Sequence, residues 1–246
     1  MRLDQHYVDP RLVALYDRDN PRGADTEFYV RLAADLGARR ILDLGCGTGL
    51  QTRALALSDR EVTGIDPAPA MLSWARQQPG AERVTWVEGD SRSLGTPEAD
   101  LAVMTGNVAQ VFLDDEEWAT TLRHLHAALR EGGTLAFESR HPGARAWEGW
   151  YREATFERLD TADGPLECWV DGVSADKGRV HFLAHNIFTA TGEEIIADST
   201  LRFRSQQELT DSLQSAGFSV QHVYGRWNGE AVTPQSPLLI FVARRL

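Results

Sequence analysis

The chain predicts an α/β fold in which strands and helices alternate around one open, mainly parallel sheet, and three observations predict it. Residues 41–44 are strand-compatible, with Asp43 among them, and run straight into glycines at three alternate positions, Gly45, Gly47 and Gly49. A helix-like segment, 51–57, follows, so the stretch reads as strand, tight turn and helix N-terminus. The apolar run 62–65 then ends in Asp66, about 20 residues past the loop, the distance at which one helix returns the chain to a neighbouring parallel strand. Two more runs of this kind, 84–91 and 100–107, carry Asp90 just past the end of one strand and Thr105-Gly106-Asn107 at the end of the other.

Glycines at the first turn permit positive φ and let a ligand approach the backbone without meeting a Cβ. The helix behind them adds unpaired N–H groups and the positive end of its dipole, which suits an anionic or hydroxyl-rich ligand group. A carboxylate at Asp66 can accept hydrogen bonds from both hydroxyls of a ribose. Two nucleotide-type ligands compete for such a turn. The dinucleotide fingerprint G-x-G-x-x-G needs a third glycine where this chain has Leu50, and the glycine falls instead at Gly49.

The G-x-G-x-G spacing, with Asp43 two residues ahead, resembles the first motif of the class I S-adenosylmethionine (SAM) dependent methyltransferases, and the next three strand ends keep register with the same family. The resemblance covers roughly residues 22–140 and 205–246. It implies a Rossmann-like seven-stranded sheet of order 3-2-1-4-5-7-6, with only the last-placed strand antiparallel and helices on both faces. SAM is the cofactor it implies, with S-adenosylhomocysteine (SAH) as product. The turn 45–49 would pack against the methionine part and ribose, and Asp43 would orient the turn or receive the ammonium group. Asp66 would take the ribose, the acid after the third strand would sit by the adenine amine, and 105–107 would line the methyl-transfer site. The implied cofactor-binding set is Asp43, Gly45, Cys46, Gly47, Gly49, Asp66, Pro67, Met71, Asp90, Ser91, Thr105, Gly106 and Asn107.

Composition bounds the rest. A length of 246 residues allows one α/β domain with an embellishment or two small domains, and 42% hydrophobic residues suffice for a large core. A formal charge of −11, with no segment rich in Lys or Arg, argues against a grip on a phosphate backbone, so nucleic acid is not an expected partner. Cys46 and Cys168 are the two cysteines; they make neither a disulfide framework nor a zinc spacing, so no metal is expected and a reducing cytoplasm is. Residues 1–6 lack an apolar signal region and no run approaches the ~20 apolar residues of a membrane span. A monomer or homodimer without membrane association is the expectation.

Taken in order, residues 1–21 read as a cover over the cofactor site, with a short helix near 10–16 and Tyr16 as a substrate contact. The core, 22–142, opens with an amphipathic helix from 26 stopped by Gly37. A helix over 68–78 follows Pro67, and a long one over 114–130 carries Trp118, Leu122, Leu125 and Leu129 on one face, with Gly132-Gly133 as its stop. The fifth strand, 134–138, delivers Glu138, Arg140 and His141 to the same rim as Asp43, Asp66, Asp90 and Asn107. Residues 143–204 hold the alternating runs 166–170, 179–188 and 195–203 between turn signals, which predicts a small antiparallel β insertion, an acceptor lid. Its Trp147, Trp150, Tyr151 and Trp169 either line the acceptor site or form the insertion's own core. Ser205 with Glu208 three residues on is a capping box opening a helix to 216, and strands 218–224 and 238–243 complete the core within 205–246.

The expected chemistry is methyl transfer from SAM to N or O, less favourably C, of a small-molecule acceptor. His141 is the candidate base, and Tyr16, Gln110, Arg140 and Trp150 are the candidate acceptor contacts. The Asn/Asp-Pro-Pro-aromatic motif of adenine-amine and glutamine methyltransferases is missing, since the chain reads Thr105-Gly106-Asn107-Val108. A nicotinamide-dependent oxidoreductase and a SAM-binding module without transferase activity are the alternatives.

Overall fold

The computed structural model describes residues 3–57, 59–95 and 98–246. Its strands are β1 (Arg40–Leu44), β2 (Glu61–Asp66), β3 (Val84–Glu88), β4 (Ala99–Met104), β5 (Leu129–Arg140), β6 (Glu157–Thr161), β7 (Gly164–Asp176), β8 (Arg179–Phe188), β9 (Glu193–Arg202), β10 (Phe218–Tyr224) and β11 (Leu238–Arg245). Seven of them form one sheet in the order β10-β11-β5-β4-β1-β2-β3, and β6 to β9 form a second sheet in sequence order. Counting core strands only, the large sheet has the order 3-2-1-4-5-7-6 that the resemblance implies. β11 runs antiparallel to both β5 and β10, and the pairs from β3 through β5 are parallel.

Period-2 alternation explains why the large sheet needs helices on both faces. Ala102 and Met104, Leu135 and Phe137, and Phe241 pack on one side with Trp118, Leu122, Leu125, Leu209 and Leu213. Leu101, Val103, Ala136, Ile240 and Val242 pack on the other with Phe28, Tyr29, Ala33 and Leu55. The helices are α1 (Gln5–Val8), α2 (Pro10–Val13), α3 (Tyr16–Asp19), α4 (Ala24–Asp35), α5 (Leu50–Leu55), α6 (Pro69–Arg76), α7 (Asp115–Ala128), α8 (Arg152–Thr155) and α9 (Gln206–Ser215). Strand order reverses between β1 and β4, and a crevice opens at such a switch point.

Most local signals act as expected. Ser205 and Glu208 form the reciprocal cap, with Glu208 N–H on Ser205 Oγ at 3.2 Å and Ser205 N–H on Glu208 Oε2 at 2.7 Å. Lys177 and Gly178 both adopt positive φ, 45° and 75°, in the two-residue turn between β7 and β8, the combination that matches the twist of a hairpin. Three boundaries differ. α7 stops at Ala128 and β5 begins at Leu129; Gly132, at φ 71°, bends the chain inside the strand and shifts its register against β4, so the glycines act within the strand and not as the helix stop. The insertion has a fourth strand, β6, whose Glu-Arg-Leu-Asp-Thr sequence offers one apolar residue, Leu159, opposite Leu166. A charged edge strand shows little alternation to read. The expected helix near 10–16 is split into α2 and α3.

The insertion is tied back to the core by Arg204, which follows β9 and is 3% exposed. Its Nη2 donates to Phe112 O at 2.9 Å and to Asp115 Oδ1 at 2.8 Å, and its guanidinium lies 5.4 Å from the Trp118 ring centre. Arg204→Met keeps the stem and removes these bonds, so it should cost about 1–3 kcal/mol of stability. A denaturant midpoint within error of the wild type would show that the bonds do not hold the insertion.

Candidate active site

The glycine turn is bound to β2 through its backbone. Ile65 O accepts from Gly45 N–H at 2.8 Å and Cys46 N–H at 3.1 Å. The Asp66 carboxylate accepts from Gly47 N–H on Oδ2 and from Ala68 N–H on Oδ1, both at 2.8 Å. Gly45, Gly47 and Gly49 all have positive φ, at 78°, 54° and 73°, yet their surroundings differ. A Cβ on Gly45 would lie 2.5 Å from Val108 Cγ2, and one on Gly49 would lie 2.2 Å from Trp86 Cη2. At Gly47 a Cβ would meet nothing within 4 Å. Protein fills the space at the outer two glycines; the middle one faces open space, the cradle of the turn.

Three buried carboxylates converge at these strand ends. Asp43 accepts from Thr52 Oγ1 at 2.7 Å on Oδ2, while its Oδ1 is buried with no partner. Burial pushes its pKa up to about 7, with Asp66 and Glu138 adding to the effect. Burial likewise raises Asp66 and Glu138. Glu138 accepts from the Tyr29 hydroxyl and from Asn107 N–H at 2.7 Å, which holds Asn107 in the left-handed region at φ 63°. So much negative charge with so little compensation suits a ligand carrying positive charge.

The cradle opens into a cavity of about 250 Å³ bordered by the turn, by Thr105, Gly106 and Asn107, by Glu138, and by Tyr16, Asp17, Thr26, Gln51 and Trp227. Thr26 Oγ1, Gln51 Nε2 and Asn107 Oδ1 on its border are buried without hydrogen-bond partners. The N-terminal segment closes one side: the Thr48 hydroxyl donates to Asp17, and Arg53 lies 3.7 Å from the same carboxylate. A larger groove of about 380 Å³ lies among Arg22, Gly23, Thr26, Glu27, Val30 and Ala54. None of the strand-end acids borders it, so size does not mark the site.

A family model described as a methyltransferase domain matches residues 41–133. A putative methyltransferase of Geobacillus sp. (strain WCH70) is 31% identical over 215 residues, 85% of this chain and 85% of that protein. The chain belongs to the SAM-dependent methyltransferases. A cypemycin N-terminal methyltransferase of Streptomyces sp. is 26% identical over 91% of this chain and 90% of that protein. The CcbJ methyltransferase structure from Streptomyces caelestis superposes with a TM-score of 0.79 at 20% identity, covering 97% of this chain and 98% of that one, which speaks for the fold. The chain spans about half the length of some curated relatives; with a malonyl-[acyl-carrier protein] O-methyltransferase of Pectobacterium atrosepticum, 30% identical, the match covers 55% of that protein. Membership removes the nicotinamide alternative and makes SAM the cofactor.

The residues present fit SAM. The open cradle at Gly47, the unpartnered polar atoms of Thr26, Gln51 and Asn107, and the acidic surroundings supply room, hydrogen bonds and charge for an adenosyl sulfonium. Each Asp66 oxygen keeps a second lone pair beyond its backbone bond, so the acid that builds the turn can also hold a ribose. Of the expected cofactor contacts, Gly45, Cys46, Gly47, Thr105, Gly106 and Asn107 border the cavity, together with the expected substrate contact Tyr16. Asp43, Gly49 and Asp66 are not on the border of this cavity. Met71 is buried against Val13 and Ala68, with Pro67 just ahead on the chain. Asp90 turns away to Arg92, whose guanidinium holds its pKa down at about 2, and Ser91 Oγ pairs with His124 Nδ1 at 2.9 Å.

The expected acceptor contacts form one corner. Arg140 Nη1 donates to Gln110 Oε1 at 3.0 Å and its guanidinium lies 5.5 Å from the Trp150 ring centre. Trp150 and Trp147 also pack on Phe182 and Phe203 of the insertion. Trp169 is stacked on His185 at 4.8 Å, and Tyr151 is 51% exposed, so those two serve the insertion itself. His141 lies outside the cavity border; its Nδ1 accepts from Gly143 N–H at 2.9 Å and burial lowers its pKa. That nitrogen caps a turn. The missed residues Asp17, Thr26 and Gln51 carry no motif; the signal for Asp17 was its place beside Tyr16 in the cover segment.

Asp43 makes stability depend on pH. Its folded pKa lies above the unfolded value, so the folded state binds the extra proton and the acid's favourable contribution is present below about pH 4 and lost as pH rises to about 7. Without cofactor, Asp43→Asn should match the wild type near pH 4 and exceed it at pH 8, by on the order of 3–4 kcal/mol as an upper bound. Denaturant unfolding at the two pH values checks this, and a pH-independent difference would contradict it.

Proposed function

We propose that the protein moves the methyl group of SAM to a nitrogen or oxygen, less favourably a carbon, of a small-molecule acceptor. The open cradle at Gly47, which a Cβ would enter, set among buried acids, carries the cofactor half of this reading. The acidic balance, −11 overall, favours a small molecule over nucleic acid, and a relative that methylates the N-terminus of cypemycin supports a nitrogen acceptor. Bound SAM would supply a methyl group on a positively charged sulfur, already activated toward an acceptor's lone pair.

The chain's own contribution is orientation, which can provide roughly 7–11 kcal/mol of a barrier. Tyr16 stands over the end of β4, its hydroxyl 3.9 Å from where a Cβ on Gly106 would lie. Burial pushes the Tyr16 pKa up to about 12 and raises Tyr7 as well, so both phenols stay protonated and keep an O–H to donate to a ligand. With His141 Nδ1 capping a turn, positioning replaces proton abstraction as the main device. Residues 1–21 and 143–204 act as the two parts of a cover, joined by Arg18 to Glu157 at 2.9 Å and by Arg11 to Glu193 at 2.8 Å. Among the described residues no helix is long and apolar enough to cross a membrane, and the free thiols of Cys46 and Cys168 suit a reducing cytoplasm.

The three glycines allow a discriminating test by SAH calorimetry and thermal melting. Gly47→Ala should stay folded at a strain of about 1–2 kcal/mol and lose at least tenfold in SAH affinity, because the methyl group occupies ligand space. Gly49→Ala should lose stability first, through Trp86. SAH at ~100 times its dissociation constant should add about 2.7 kcal/mol to the wild type. Equal SAH affinity in wild type and Gly47→Ala, or no SAH binding at all, would defeat the proposal.

A further inference from the structure

The corner beyond Tyr16 has a polarity opposite to that of the cofactor cradle. Residues two apart on a strand face the same side, so Arg140 follows Glu138 along one side of β5, one step farther toward the rim. Glu138 spends its oxygens on Tyr29 and Asn107 and reaches Arg140 only at longer range. Among the described residues no carboxylate oxygen lies within ion-pair distance of the Arg140 guanidinium, and one of its five N–H donors is engaged, on Gln110 Oε1. Gln110 is fully buried and its Nε2 has no partner. Tyr7 and Tyr16, whose ring centres are 6.3 Å apart, lie in the field of the same guanidinium. The groups with free capacity here are all donors around one cation. A sheltered arginine without a counter-ion is costly to the free protein, whereas a planar fork of donors matches a carboxylate or phosphate group.

We propose that Arg140, backed by the Gln110 amide, is the anchor for an anionic group on the acceptor, a carboxylate or a phosphate. The inference rests on the methyltransferase reading and deepens it. An acceptor held by its negative end at Arg140 has its nucleophile directed past Tyr16 toward Gly106 and the acidic cradle. Charge thus sorts the two ends of the acceptor: the cradle favours the amine or hydroxyl end, and the arginine takes the anion.

Titration of SAH-saturated protein with inorganic phosphate and, separately, with acetate at constant ionic strength tests this by calorimetry. One of the two anions should bind saturably at a single site, at least tenfold more weakly in Arg140→Gln and at an intermediate level in Arg140→Lys. SAH affinity should stay within twofold of wild type in both variants. Tighter phosphate binding assigns a phosphorylated acceptor, and tighter acetate binding a carboxylate. Absence of binding by either anion, or equal binding by Arg140→Gln, overturns the proposal. Melting of the ligand-free protein is an independent readout: Arg140→Gln should melt at or above the wild type, and a lower melting point overturns the proposal by assigning the arginine to packing. Should the glutamine variant fail to fold, Arg140→Lys carries the test, and wild-type anion affinity in it overturns the proposal. Failure of SAH itself to bind would bring down the methyltransferase reading first, whereas SAH binding without anion binding sinks the anchor alone.

Discussion

The pair of hydrogen bonds from Gly47 N–H and Ala68 N–H to the Asp66 carboxylate is the constraint on which the site depends. The turn after β1 has three left-handed glycines, none with a side chain to hold it. It is held from outside, by the Ile65 carbonyl and the Asp66 carboxylate at the end of the neighbouring strand. Ile65 O fixes the beginning of the turn, Asp66 fixes its middle, and Ala68 N–H sets the entry to α6. Because β1 and β2 are parallel and in register, with Leu44 beside Ile65, the two strand ends arrive together and the cradle is built before any ligand comes. A ribose taken by Asp66, as proposed, would therefore meet an acid already aligned by the backbone.

The same geometry explains why the acids are not satisfied. Backbone N–H groups and single hydroxyls meet Asp43, Asp66 and Glu138, and among the described residues no arginine or lysine pairs with them. Asp43 keeps a bare oxygen and Asn107, Gln51 and Gln110 keep bare amide atoms. Elsewhere Arg204 finds two carbonyls and a carboxylate, and Trp118 Nε1 finds Ser212 Oγ at 2.9 Å, while Trp74 Nε1 and Arg245 Nε also stay unpaired. Most of the broken local rules lie where a ligand would complete them.

Much of this was legible in the chain because the governing contacts are local or periodic. Leu101 and Val103 against Ala102 and Met104 announce a strand buried on both faces, and Ser205 with Glu208, or Lys177 with Gly178, write their structures within four residues. The glycine spacing gave the cofactor class. What could not be read were contacts that join distant parts of the chain. Glu138 acquires its role only when Tyr29 and Asn107 are brought to it, across 109 and 31 residues. Asp90, an acid at a strand end like Asp66, meets a short-range competitor in Arg92, and a pattern of strand ends does not show which way such an acid turns. β6 stayed hidden since an edge strand with one inward apolar residue has no period to detect.

The insertion and the N-terminal segment pose the remaining structural question, why two elements so far apart in sequence share one cover. Asp4 takes a hydrogen bond from Ser199, Arg11 pairs with Glu193 and lies 4.4 Å from the Phe188 ring centre, and Arg18 reaches Glu157. These contacts are polar and mostly exposed, and exposed ion pairs contribute roughly 0–1 kcal/mol each. The segment's attachment to the core is firmer: Val13, with Leu3, Tyr7 and Tyr16 beside it, packs on Ala68 and Met71, and Thr48 and Arg53 reach Asp17. The weak seam is therefore the one between segment and insertion, whose water-accessible bonds can release and re-form without disturbing the apolar layers on either face of the large sheet. With SAM held by the core, as proposed, this seam is the side that would yield to an acceptor.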